Sequence, residues 1–490
     1  MNRIDEKSEI MIGLVAPLGV DLLSIERIIA DYLTQFKYSK NSIVLSSLIR
    51  TVDGLETELF EEPEEKRIDS YMTAGNESRE KAGRGDFLAA LAICNIHQQR
   101  RNDEPILCTV HLFRSLKHPA EVRLLRDIYG EGFYLFGINS SRERRLNYLI
   151  NQKGIPDIEA KRLIERDESE SDKLGQHMRD AFHLADGFID MDSGDISDQI
   201  GRIFDLIFGK PCVTPTKDEY AMFLAFAASI RSGDLSRQVG AVIASKTGEI
   251  IATGANDVPC FGGGLYWADH DNADERDYRK GFDSNEQRRN KIVTEIMKKF
   301  YKDSNPSELL KNGKEVLKDT GILDITEYGR AVHAEMEALL SCGRSGVSTR
   351  QCTLYTTTFP CHNCAKHIVA SGISRVVFVE PYPKSLAMDL HSDAIFLAHE
   401  GESGQKNDKV CFEPFIGIGP KRFLDLFSMD LSRGKKIKRE EDGKLIKWDR
   451  DTAFVRVPLS PISYIDRETY VSGEIDNLMG GNDVHQKKDQ

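Results

Sequence analysis

"CTLYTTTFPCHNCAKHIVASGISRVVFVE", residues 352–380, is the stretch from which the fold can be read. "CTLYTTT" reads as a strand. "CHNCAKHIVASG" reads as a helix with Gly372 at its C-terminal cap. "RVVFVE" reads as the next strand. A strand, a helix and another strand make a right-handed βαβ unit. Cys361 and Cys364 have Cys-x2-Cys spacing where the helix should begin, so both can point at one ion. Pro360 pre-sets the backbone there. Free N–H groups and the helix dipole at that end stabilise thiolates. Two cysteines supply two of the four positions around zinc.

"VHAEMEALL", residues 332–340, supplies the rest. His333 and Glu335 are two apart, so they do not share one face of a regular helix. One reading is a plain helix start: acidic residues in the first turn favour the dipole, with Met336, Leu339 and Leu340 as a buried face. Set beside the cysteine pair, another reading opens. His333, at or before the first turn, is a third zinc ligand, and the fourth position stays open for water. Glu335 need not bind the metal and can carry the proton. His-x-Glu followed by Pro-Cys-x-x-Cys is the signature of zinc nucleobase deaminases. A closed structural zinc site with Cys342, Cys352, His362 or His367 as fourth ligand is the alternative. It leaves Glu335 and Pro360 unexplained.

The 490 residues are too many for one ordinary core and predict two or three domains. A 40% hydrophobic and 29% charged composition fits a soluble globular protein, with no run long enough for a membrane span. "IMIGLVAPLGVDLL" contains Asp21 and reads as a buried strand and turn, not a signal peptide. Nine cysteines without a secretion signal point to a reducing cytoplasm, where paired cysteines more often mean metal than disulfide. A net charge of −12 weighs against a polynucleotide substrate and favours a small one.

Residues 1–165 alternate strands and helices and are expected to form one doubly wound α/β domain. "GLVAPLGVD" puts Gly13 and Gly19 between a strand and a helix, where phosphates are often held. Val20 and Asp21 stand where a P-loop has its lysine and its magnesium-binding hydroxyl. An ordinary strand-to-helix turn is the alternative. Residues 166–210 are charge-rich and read as a linker with helical pieces. A second domain is expected over 211–470. It opens on a helix and a β-hairpin, "VGAVIAS", "KTGE", "IIATGAN", and carries an insertion at about 257–328 with little core signal. Residues 471–490 read as a disordered tail.

"RQVGAVIA", "GAND-P", "HAE" and "PCHNCAKHIVASGISRVVF" stand in the order found in deoxycytidylate deaminases, which residues 211–400 resemble. With "RSLKHP", "GGGLYW" and "EPYPKS", residues 8–470 resemble bacterial anti-phage deoxycytidylate deaminases of the AvcD/DcdV type. In these a P-loop nucleotide-kinase-like domain precedes a cytidine-deaminase-like three-layer α/β/α domain. The resemblance implies zinc-dependent hydrolysis of dCMP or dCTP, with His333, Cys361 and Cys364 as ligands and Glu335 as proton shuttle. It suggests that Asn256 touches the nucleotide, although Ala255 and Asp257 depart from the simpler pattern and a turn asparagine is the alternative. Glu337 departs too. Lys384 and Ser385 follow a strand end and are phosphate candidates, with Arg237 a further one; a solvated turn is the alternative. The resemblance further implies a homo-oligomer (dimer or hexamer), allosteric dCTP or dTTP, an inhibitory small RNA in some relatives, Mg2+ accompanying nucleotide, and no membrane. The N-terminal domain, departing at Val20 and Asp21, is expected to regulate and not to transfer phosphate.

Two rivals stand against a nucleotide deaminase. One is a deaminase acting on single-stranded DNA or RNA, for which "SRGKKIKREEDGKLIKW" is the one basic stretch. The other is a non-enzymatic nucleotide sensor with a structural zinc.

Overall fold

Every residue of Ile10–Val15 is buried, and this segment forms β1, a central strand of a six-stranded sheet. The computed structural model describes residues 7–169, 178–269, 274–301, 305–318, 320–380, 385–398, 408–429, 439–440, 442–445 and 447–480. They divide into two units, 1–219 with 414–490, and 220–413.

In the first unit, β2 (Ser39–Val44), β3 (Thr109–Arg114), β4 (Phe133–Asn139) and β5 (Gly187–Asp190) run parallel with β1. β12 (Gly417–Ile418) lies antiparallel at the edge, and the order is β12-β5-β4-β1-β3-β2. Strands covered on both faces read as continuous apolar runs, as β1 and β4 do. Helices α1 (Leu22–Gln35) and α3 (Ile196–Ile207) bury Ile25, Ile29, Ile203 and Phe204 against Ile10, Ile12 and Leu14. Helix α2 (Asp157–Ser169) lies between them in the chain.

This arrangement corrects three boundaries. The segment expected as a linker, 166–210, contains β5 and α3, so the first unit runs on past 165 to Glu219. β5 is four residues long, too short for its pattern to stand out among charges. The second domain, expected to reach 470, ends at 413. Gly417 pairs with Phe188 and Ile418 with Gly187, returning the chain to the first sheet. The tail expected from 471 begins as the end of helix α6 (Pro461–Gly480), where Val471 and Ile475 are buried. Residues 481–490 lie outside the described residues.

α6 packs on the helix Phe87–Gln99 around a buried charged cluster. Arg100 donates to Glu468 at 2.5 and 2.8 Å and to Glu9 at 2.8 Å. Tyr464 donates to Glu9 at 2.5 Å, and Tyr129 to Glu468 at 2.9 Å. Burial pushes the Glu9 carboxyl up, but hydrogen bonds from His111 and Arg100 outweigh it and pull it down to about 2.

In the second unit, β6 (Gly240–Ala244) and β7 (Ile250–Ala255) form the expected hairpin, closed by Gly248 at φ +96°. β8 (Thr353–Thr358) is antiparallel to β6 and parallel to β9 (Arg375–Glu380). With β10 (Ile395–Leu397) and β11 (Val410–Pro414) the order is β10-β11-β9-β8-β6-β7. Helices α4 (Ala334–Ser345) and α5 (His362–Ala370) bury Ala338, Cys342 and Ile368 in the core with Leu354 and Val376. The insertion is more structured than its sequence suggests. Its helices Ser284–Phe300 and Pro306–Val316 enclose a small core of Val293, Met297 and Leu309. Among the described residues, no helix is long and apolar enough to cross a membrane.

Candidate metal centre and active site

The N-termini of α4 and α5 meet. His333 is the N-cap of α4, with extended backbone (φ −69°, ψ 153°), so it stands outside the helical repeat while Glu335 lies in the first turn. That geometry resolves the two-residue spacing. Val332 donates its N–H to the Asp257 carbonyl at 2.9 Å, pinning the entry to α4. β7 passes hard against the same turn: a Cβ on Gly254 would stand 2.1 Å from the Ala334 carbonyl oxygen. Cys361 is the N-cap of α5, and its Sγ accepts from the Cys364 N–H at 3.4 Å.

His333 Nδ1 lies 3.3 Å from Cys361 Sγ and 3.4 Å from Cys364 Sγ. One donor atom from each of the three residues falls within 4.8 Å of the others. Glu335 Oε2 is 3.3 Å from Cys364 Sγ, and both residues are buried. A hydrogen bond from Cys364 and the neighbouring His333 pull the Cys361 thiol down to about 4. The Cys361 partner in turn lifts His333 to about 9, and burial raises Glu335 above the usual carboxylate range. Two soft sulfurs and an imidazole nitrogen converging on one point are a donor set that fits zinc. Among the described residues, Cys342, Cys352, His362 and His367 do not join the cluster. Among the described residues the converging donors are these three; catalytic zinc sites use three protein ligands and structural ones four.

The expected substrate contacts are engaged elsewhere. Asn256 is buried. Its side-chain oxygen accepts from Val239 N–H at 2.6 Å, and its amide donates to the Arg237 carbonyl at 2.7 Å and to Asp234 at 3.3 Å. It braces the 234–239 loop. Arg237 pairs with Glu380. Ser385 donates to the Pro360 carbonyl at 2.8 Å and accepts from Ala387 N–H, holding the turn before Cys361. Lys384 lies outside the described residues. Glu337 pairs with Arg344 on α4. A cavity of about 380 Å³ borders the 233–236 loop, lined by Asp234, Asp257, Arg276, Tyr278 and Phe282, so the insertion forms part of its wall. Asp234, Gly254 and Glu380 were not singled out from the sequence, and Asp257 only as a departure from the simpler pattern. Only Asp234, in "SGDLS", carried even a turn signal.

The N-terminal glycines are corrected. Gly13 lies inside β1, not in the loop, and a Cβ there would meet Leu116 at 2.6 Å. Gly19 is in the loop at φ +90°, with Arg145 Cβ and carbonyl oxygen each 2.9 Å from where its Cβ would be. A carboxylate of the chain itself reaches this loop. Leu18 N–H donates to Asp167 Oδ2 at 2.7 Å, and Lys117 Nζ reaches Asp167 Oδ1 at 2.8 Å. Both glycines sit at close packing contacts, and one N–H of the loop, that of Leu18, is bonded to the Asp167 carboxylate.

Residues 215–380 match the cytidine and deoxycytidylate deaminase zinc-binding region. ComE operon protein 2 of Bacillus subtilis is 42% identical over 65 residues, 13% of this chain and 34% of that protein. The deoxycytidylate deaminase of phage T4 is 44% identical over 54 residues, 11% of this chain and 28% of its own. The human deoxycytidylate deaminase is 25% identical over 163 residues, 33% of this chain and 63% of its own. The chain thus spans about a third of the length of the first curated relatives it matches. The dCMP deaminase of cyanophage S-TIM5 aligns at 18% identity with a TM-score of 0.23, over 41% of this chain and 99% of that one.

Proposed function

We propose that this chain hydrolytically deaminates a deoxycytidine nucleotide, dCMP or dCTP, to the deoxyuridine nucleotide and ammonia. The observation that carries this is the convergence of His333, Cys361 and Cys364 with the buried Glu335 carboxylate 3.3 Å from Cys364. The match of the zinc-binding region to residues 215–380 supports it. His333 Nδ1 and the two thiolates would hold the zinc. When bound, zinc supplies Lewis acidity that lowers the pKa of water to roughly 7. Glu335 moves the proton: its carboxylate takes it from the attacking water, delivers it to N3 of the pyrimidine, and then protonates the departing amine. The C4–N bond breaks as a C4–O bond forms, and water supplies both the oxygen and the protons.

A small anionic substrate suits a chain of net charge −12 better than a polynucleotide does. The resemblance of the whole chain to anti-phage deaminases supports depletion of the deoxycytidine nucleotide pool during infection as the biological role. The test incubates pure protein with dCMP, dCTP, CMP and a cytosine-containing single-stranded oligonucleotide and reads the products by mass. Uracil in the oligonucleotide without turnover of free nucleotides would overturn this reading.

A further inference from the structure

One ion pair links the backbone segments that lead to the metal ligands, and the chemistry described so far does not use it. Arg237, in the 234–239 loop, pairs with Glu380, their side chains 39% and 26% exposed. Arg237 is tied by its carbonyl to Asn256, whose neighbour Asp257 anchors Val332 just before His333. Glu380 ends β9. It takes a hydrogen bond from Thr358 Oγ1 at 3.3 Å, and its carbonyl accepts from Phe359 N–H at 2.7 Å, two residues before Cys361. The pair therefore joins the backbone that carries the histidine ligand to the backbone that carries the cysteines. A carboxylate here is unexpected beside a site for an anionic nucleotide.

We propose that the pair is a charge-operated phosphate gate. The phosphate of the nucleotide displaces Glu380 from Arg237, and Glu380 thereby limits how strongly the cleft holds phosphorylated ligands. This rests on reading the cleft as a nucleotide site. Partly exposed ion pairs are weak, typically ~0–1 kcal/mol, so exchange for another anion is open. Arginine binds phosphate, as it binds carboxylate, through two parallel hydrogen bonds, so one anion can take the place of the other. Thr358 leaves Glu380 with a donor after Arg237 turns away.

The test compares wild type, Glu380→Gln and Arg237→Gln. KM and kcat are measured for dCTP, dCMP and deoxycytidine, and inorganic pyrophosphate binding is measured by calorimetry. Glu380→Gln is expected to lower KM for the nucleotides, and the dissociation constant of pyrophosphate, by about two- to fivefold. Arg237→Gln is expected to raise both. The effects should be greatest for dCTP and least for deoxycytidine. A simple brace between the two segments would instead move both variants in the same direction, with a lower melting temperature, and would overturn the gate. Absence of pyrophosphate binding in all three proteins would overturn it as well. Opposite shifts in pyrophosphate affinity without turnover of any cytidine nucleotide would keep the gate and remove the deaminase reading. Turnover without opposite shifts would do the reverse.

Discussion

At the scale of the residue, the proposed function divides the site into ligands and a proton carrier, and the two should fail differently. Glu335→Gln is expected to retain zinc, because its carboxylate is not among the three converging donors, while losing about 10²–10⁴-fold in deamination rate. Metal analysis alongside product formation checks this; a variant keeping a tenth of the rate would refute the role. Cys361→Ser or Cys364→Ser is expected to lose metal and activity together, since each removes one of three protein donors. His333, Glu335, Cys361 and Cys364 were legible because each acts at a fixed offset along the chain. Asn256 and Ser385 were legible as residues but not as roles. Their hydrogen bonds go to Val239, Arg237 and Pro360, positions that no local pattern connects to them.

At the scale of the element, backbone contact decides what the glycines do. Gly254→Ala forces a Cβ to within 2.1 Å of the first-turn carbonyl of α4. Overpacking of this kind costs about 1–3 kcal/mol. Thermal melting should reveal it, with zinc content falling because the turn that moves follows His333 directly. In the loop after β1, Asp167 accepts from the Leu18 N–H and pairs with Lys117. Asp167→Ala removes the acceptor of the Leu18 N–H and the anionic partner of Lys117, whose amine keeps the Ala16 carbonyl at 3.0 Å, and a loss of this kind costs about 1–3 kcal/mol. Denaturant unfolding checks that value. Phosphoryl transfer needs lysine and magnesium at the phosphates. Val20 and Asp21 supply neither, so a radiolabel assay is expected to find no transfer of γ-phosphate from ATP.

At the scale of the whole molecule, the chain closes its first unit with its own C-terminal segment. Glu9, near the start, and Tyr464 and Glu468, near the end, share Arg100 and its neighbours in one buried cluster. Glu9 is held at about 2, below its ordinary value of 4.5. A carboxylate depressed on folding contributes stability that is complete above the unfolded value and is lost as pH falls through the folded one. The first unit is therefore expected to lose about 3 kcal/mol from Glu9 between roughly pH 5 and 2. Urea unfolding across that range checks it, and Glu9→Gln should flatten the dependence.

The sequence by itself determined the two α/β layouts, the hairpin, the βαβ unit and the four residues that converge at the candidate site. Each is written in a period or spacing that spans a few residues. Only the tertiary structure decided that residues 187–190 and 417–418 complete the first sheet, that Asp167 reaches the loop after β1, and that Glu380 faces Arg237. These pairings join residues far apart in the chain, some between strands too short to carry a pattern. Their energy comes from partners that meet only after the cores have formed, so no local stretch of sequence encodes them.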